Sequence, residues 1–378
     1  MKKTVLFTGV IFLAACSPGK QVQVEVANTS AVDRTEELIE IAWSNLDGFM
    51  DGQIVVLDEK GEELPSQVLY RGGETPQALL FPATVAANTT KVYYIKEGMP
   101  QTFPARTFGR QVPERKDDFA WENDRVAYRV YGPALADEYP SNGVDLWLKK
   151  TDQLIVNKFY REDIENGISY HIDYGEGLDC YKVGHTLGAG GIAPYAGGKI
   201  WVENHYSSVR LLDTGILRTA FELTYDSVVV QEGILYKKAV ISLDAGSHFN
   251  QASVTYTGTP EPLTLAAGIY LHESPGTVVP NVEAGTLAYA EDAVSDAGIP
   301  AGRNYVGIVF TTPVREIFRD KEHVAGITPS VPGEPLVYYF GGGWSQWGFP
   351  SDTDWYKYVE EFAKAAHHPL EVSLPNAH

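Results

Sequence analysis

The stretch from Tyr170 to His185 reads Tyr-His-Ile-Asp-Tyr-Gly-Glu-Gly-Leu-Asp-Cys-Tyr-Lys-Val-Gly-His. Two histidines, three carboxylates, three tyrosines and a lysine are more polar chemistry than a strand needs for packing. Imidazole can take or give a proton near neutrality, a phenol can donate one, and an ammonium can offset an anion. The residue types therefore suit general acid–base work. The plainer alternative is a solvated hairpin whose charges face water. A metal site built from His171, Asp173 and His185 is conceivable, so a divalent cation stays possible and no other cofactor is expected. The HExxH and cysteine-cluster spacings that specify metals are absent. The following Gly188-Ala189-Gly190-Gly191 does not make a phosphate loop, since no helix follows it and the Walker lysine and hydroxyl are missing.

Two further clusters carry polar or aromatic groups. In Asp117-Asp118-Phe119-Ala120-Trp121-Glu122-Asn123-Asp124-Arg125, arginine can grip a carboxylate and Asn123 can bond a sugar hydroxyl, with Trp121 beside them. A structural Arg–Asp pair at a strand entry would explain the same residues. Tyr338 to Trp347, with Trp344 at its centre, offers flat rings on which sugars stack, or equally core packing.

The elements that must position these groups are strands. Residues 20 to about 100 alternate apolar and polar positions, as in Val22-Val24-Val26, Ile39-Ile41-Trp43 and Val92-Tyr94, which predicts a small antiparallel β-sandwich over 16–104. The prolines around Met99-Pro100 and Phe103-Pro104 predict a linker. The same rhythm continues through Val126-Tyr128-Val130, Val144-Leu146-Leu148, Leu217-Thr219-Phe221-Leu223 and Val337-Tyr339, so a large antiparallel β-sandwich is expected over 105–378. Only the C-terminus reads as helix: Ser351 and Asp352 can cap, Trp355, Val359, Phe362 and Ala366 share a face, and Pro369 ends the segment. If the Tyr170–His185 run is a hairpin turning at Gly175-Glu176-Gly177, a one-residue slip decides whether His171 faces Tyr181 or Lys182.

Lys2 and Lys3 precede an apolar run from Val5 to Ala15, about half the length of a spanning helix, ending in Leu13-Ala14-Ala15-Cys16. This pattern resembles a lipoprotein signal peptide over residues 1–15, cleaved before an acylated Cys16. An exported protein, held to a membrane only by lipid, is expected. An outer-membrane anchor is expected, and the absence of an acidic run after Cys16 favours its periplasmic face. Cys180 is then the sole remaining thiol, and an internal disulfide is excluded. The net charge of −19 argues against nucleic-acid partners. Oligomeric state is not legible.

The segments Asp118 to Arg125, Tyr131-Gly132-Pro133-Ala134-Leu135, Gly143-Val144-Asp145-Leu146-Trp147 and Tyr170 to Gly184 together resemble a secreted bacterial family, domain of unknown function 4861, over roughly residues 105–365. The resemblance implies association with polysaccharide breakdown, and one member of the family is similar to an ulvan oligosaccharide dehydratase. The large sandwich would then be of the supersandwich type seen in galactose mutarotase-like proteins. Removing water from a terminal uronic acid takes the C5 proton beside the carboxylate and expels the C4 hydroxyl, which needs a base, an acid and a cation. On chemical grounds His171 or His185 would be the base and Tyr174 or Tyr181 the acid. Arg125 or Lys182 would neutralise charge, with Trp121, Asn123, Glu176, Asp179 and Trp344 contacting an acidic oligosaccharide. The expectation is β-elimination by a dehydratase or lyase. A non-catalytic glycan-binding lipoprotein is the rival, and a glycoside hydrolase using Glu176 and Asp179 is a third reading.

Overall fold

The computed structural model describes residues 20–136, 142–202, 204–231, 233–273 and 276–375, and all counts below refer to these. The signal segment 1–15 and Cys16 lie outside the described residues.

The chain is predominantly antiparallel β-sheet. Near the N-terminus, alternation becomes burial: Val22, Val24 and Val26 of the strand Gln21–Asn28 point into a core with Ile39, Ile41, Phe81 and Ile95. That core lies between a five-stranded and a three-stranded sheet. One strand of the larger sheet comes from the far end of the chain, where Glu371–Ser373 pairs with Gln21–Asn28. The sandwich is therefore not built from residues 16–104 alone. A short C-terminal strand returns to cover the open edge of its first strand, where backbone groups would otherwise lack partners.

The larger sandwich sets a nine-stranded sheet against two five-stranded sheets. One shared core between them contains Trp121, Tyr128, Leu146, Phe221, Leu265 and Phe340. Gln67 ties the two sandwiches together: its Oε1 accepts from the amides of Leu217 (2.7 Å) and Arg218 (2.9 Å), and its Nε2 donates to the Arg218 carbonyl (2.9 Å).

Two helices lie on outer sheet faces, one more than the sequence led us to expect. Helix α1 (Val156–Asn166) covers a five-stranded sheet, and α2 (Asp352–His367) covers the nine-stranded one. The expected cap of α2 forms, with Ser351 Oγ accepting from the Asp354 amide. Trp355 of α2 stacks on Phe249 with ring centroids 5.8 Å apart. Helix α1 has no local cap, because Ile155 precedes it. Instead Glu122, on the sheet beneath, accepts from the amides of Ile155 (2.9 Å) and Val156 (2.7 Å). A buried carboxylate thus serves the helix N-terminus from 33 residues away.

Candidate active site

The sheet under α1 is formed by strands Thr107–Val112, Asp118–Asn123, Ala127–Val130, Asp145–Lys149 and Gly177–Asp179. Period-two alternation sends Phe119, Trp121, Tyr128, Leu146 and Leu148 into the main core. The intervening positions, Asp118, Glu122, Arg129, Asp145, Lys149 and Asp179, share the opposite face. These six charged residues are buried all the same. Lys149 pairs with Glu122 at 2.7 Å, and Arg129 meets Asp145 at 2.6 Å and Asp179 at 2.8 Å, with Asp118 at 3.9 Å. The rings of Tyr131, Trp147 and Tyr170 surround the guanidinium at 4.8, 5.3 and 5.8 Å.

One arginine thus faces three buried carboxylates, which cannot all ionise there cheaply. Burial, reinforced by the charge of Asp145, pushes Asp179 well above the usual carboxylate range despite Arg129. Burial likewise raises Asp118. Burial opposes the charge of Arg129, yet the facing carboxylates hold its pKa above the ordinary value.

Beside this cluster opens a cleft of about 340 Å³, lined among others by Arg115, Arg129, Tyr131, His171, Asp179 and Lys182. His171 is partly exposed within it, and its Nδ1 lies 2.9 Å from the Asp179 carbonyl and 3.5 Å from the Asp179 carboxylate. A carbonyl only accepts, so Nδ1 carries the hydrogen and Nε2 of the neutral ring keeps its lone pair. The geometry fixes the tautomer of the neutral His171 ring and leaves Nε2 free of that contact. The backbone that presents it depends on Gly177, at φ +132°, where a Cβ would come within 2.0 Å of the Leu148 carbonyl.

The Tyr170–His185 run is not a hairpin. Residues 170–176 form an irregular loop, and only Gly177–Asp179 joins the sheet. The competition is won locally by Asp173, whose carboxylate accepts from the amides of Gly175 (2.7 Å) and Gly177 (3.2 Å) and pairs with Lys150.

Of the residues singled out in sequence, His171, Asp179, Tyr181 and Lys182 line this cleft. Tyr181 contributes its ring, while its hydroxyl lies 3.4 Å from the Tyr270 carbonyl, inside the wall. Lys182 is exposed and pairs with Asp296 at 3.2 Å. Tyr174 and His185 are exposed and do not line the cleft, and Glu176 pairs with Lys158 of α1.

Four assignments need correction. Trp121 is fully buried, its indole donating to Asn250 at 2.7 Å. Asn123 shapes a turn, donating to the carbonyls of Asp244 and Ser247 and accepting from the amides of Arg125 and Val126. Trp344 is also buried, with its indole bonded to the Ala301 carbonyl. None of the three offers a surface to a sugar. Arg125 borders a separate cleft with Ser247, Tyr339 and Tyr358, so it does not join Lys182.

Arg115, Arg129 and Tyr131 escaped notice. A charged residue between the core positions Tyr128 and Val130 is the sequence signal that was available for Arg129. Cys180 lines the cleft too, but burial pushes its thiol far up, leaving it neutral and a poor nucleophile. Among the described residues, no group of three His, Cys, Asp or Glu side chains is arranged to hold a metal ion.

Comparison with solved structures places the chain beside a protein in the glycosyl hydrolase family 38 from Enterococcus faecalis, at TM-score 0.49 and 9% identity, covering 96% of this chain and 48% of that one. An alpha-mannosidase from Enterococcus faecalis V583 follows at TM-score 0.43 and 8% identity, covering 96% and 47%. The chain spans about half the length of either structure. In sequence, the uncharacterized protein P7 of Formosa agariphila is 30% identical over 375 residues, with 93% of each chain covered. The model of the family described as domain of unknown function (DUF4861) matches residues 26–372. On that match, which takes in both sandwiches and the cleft between Arg129 and His171, the chain belongs to the DUF4861 family.

Proposed function

We propose that this protein is an exported lipoprotein, anchored through Cys16 and facing the periplasm from the outer membrane, that acts on uronic-acid-containing oligosaccharides by β-elimination. The observation that carries the reading is His171, a base of fixed tautomer in a cleft that also holds Arg115, Arg129 and Lys182. Removing a proton α to a carboxylate builds negative charge on that carboxylate, and cations held nearby lower the barrier. In this reading His171 Nε2 takes the C5 proton, the C5–H electrons form the C4–C5 double bond, and the C4–O bond breaks. Tyr131, kept protonated by burial, gives its hydroxyl proton to the departing oxygen and recovers one from the His171 imidazolium. The leaving group is water for a dehydratase and a sugar for a lyase. In this reading Arg115, Arg129 and Lys182 must meet the substrate carboxylate locally, against the repulsion that a net charge of −19 exerts on an acidic substrate.

The test is absorbance near roughly 235 nm, where an unsaturated uronate absorbs, with the soluble body and saturated uronic-acid oligosaccharides. A rise in the wild type that vanishes in His171→Ala supports elimination. No rise across a broad panel overturns it.

A second reading, non-catalytic glycan binding, is favoured by the cleft bordered by Arg125. At about 500 Å³ it is larger, and it combines the rings of Tyr339 and Tyr358 with Arg125 and Gln251. Saccharide binding that survives His171→Ala in a protein without turnover would support it.

A further inference from the structure

One wall of the His171 cleft is the segment Cys180–Gly184, and among the described residues it belongs to no strand. It carries Tyr181 and Lys182, so its position sets the width of the cleft. What holds it from behind is His272, just past the strand Leu263–Tyr270. His272 Nε2 lies 2.7 Å from the Lys182 carbonyl, and Nδ1 lies 2.8 Å from Glu291 Oε1. Glu291, buried on the strand Thr286–Val294, also accepts from Tyr289 Oη (3.0 Å) and Asn304 Nδ2 (3.1 Å). The rings of Tyr181 and Tyr270 meet the imidazole edge-on, each with centroids 4.7 Å apart.

We propose that His272 is a positioning residue for the cleft: as an imidazolium clamped between Glu291 and the Lys182 carbonyl, it fixes the Tyr181–Lys182 wall, and loss of its proton releases that wall. This rests on the elimination reading only for its effect on turnover. The argument is one of donors and acceptors. A backbone carbonyl and a carboxylate both accept, so both ring nitrogens must donate, which only the protonated ring can do. A neutral ring must abandon one contact, and the charge-assisted bond to Glu291 is the stronger to keep. The bond to Lys182 is the one given up.

The surroundings agree in sign. Burial works against the charged ring, but the bond and charge of Glu291, aided by the Lys182 carbonyl, outweigh burial and the opposing Lys182 ammonium, so His272 titrates above its ordinary value. The rings packed against it, Tyr181 and Tyr270, are phenols, and Tyr289 reaches it only through Glu291. The clamp is therefore complete below the ordinary histidine pKa of about 6.5 and is lost as pH rises through the higher folded-state value.

Two measurements test this. The first needs no turnover: with histidine rings and backbone amides isotopically labelled in the intact soluble body, the His272 ring is titrated by NMR alongside the Val183 amide, which shares a peptide unit with the Lys182 carbonyl. We expect the Val183 amide to shift with the same midpoint as His272, and that midpoint to fall by about one pH unit or more in Glu291→Gln, which keeps a hydrogen-bonding group but removes the charge. A Val183 amide indifferent to the His272 titration overturns the proposal. The second is the pH profile of kcat/KM, whose alkaline limb should move to lower pH in Glu291→Gln. Superimposable profiles in a variant with unchanged thermal stability would also overturn it. Should no elimination be found at all, the NMR experiment still decides the clamp, so the two readings fail separately.

Discussion

His171 leans on Asp179 through its Nδ1, 2.9 Å from the carbonyl and 3.5 Å from the carboxylate, while the same carboxylate lies 2.8 Å from Arg129. One residue thereby orients the imidazole and connects it to the buried charge cluster. If His171 acts as general base, His171→Ala should lower the rate of double-bond formation by about 10²- to 10⁴-fold. Because the ring is partly exposed, the unfolding free energy from urea denaturation should change by no more than about 1 kcal/mol. Full activity in a folded His171→Ala protein would remove this residue from the mechanism.

Asp179 supplies a prediction in stability against pH. Its folded-state pKa is raised, chiefly by burial and by Asp145, so the native state binds a proton that the unfolded chain releases from about pH 4 upward. Stability from this residue is therefore greatest in acid and declines as pH rises toward the folded value. Asp179→Asn holds the neutral form permanently, so its unfolding free energy should fall less between pH 5 and pH 8, on the order of accessible buffers, than that of the wild type. Parallel curves from chemical denaturation would contradict the assignment. Asp118, also raised by burial, adds a contribution of the same sign that both proteins share.

Removing the cation should be severe. Arg129→Met leaves Asp145, Asp179 and Asp118 facing one another without their guanidinium. Breaking a buried ion pair typically costs about 3–5 kcal/mol, and urea unfolding at neutral pH should show a loss of that order. Part of it should return at acid pH, where the carboxylates take up protons. A loss that does not diminish in acid would mean that packing, rather than charge, explains Arg129.

Glu122 bears on α1. Glu122→Ala removes the acceptor for the Ile155 and Val156 amides and strands the buried Lys149 ammonium. A loss of about 3–5 kcal/mol is expected, together with faster amide exchange through α1. Lys149→Met in the same background should recover part of the stability, since the unpaired charge goes with it. Unchanged exchange in α1 would show that the helix is held by its apolar stripe alone.

Alternation along the chain was enough to give the all-β class, the inward positions of strands such as Gln21–Asn28, and the capped C-terminal helix, because each depends on neighbours a few residues apart. Helix α1 was hidden for the opposite reason: its apolar stripe is short and its cap, Glu122, is distant in sequence. Composition also singled out the loop holding His171, since so dense a mixture of polar types is more than a strand needs for packing. It could not tell which of those groups meet. Trp121, Asn123 and Trp344 looked like sugar contacts, yet each fills a core or builds a turn through partners more than forty residues away or across a hairpin. The gathering of Arg129, Asp145 and Asp179 is decided by strand register, which sets Arg129 opposite Asp145 and Trp147 opposite Asp179. Register places every side chain on one face or the other, and only pairing between distant strands fixes it.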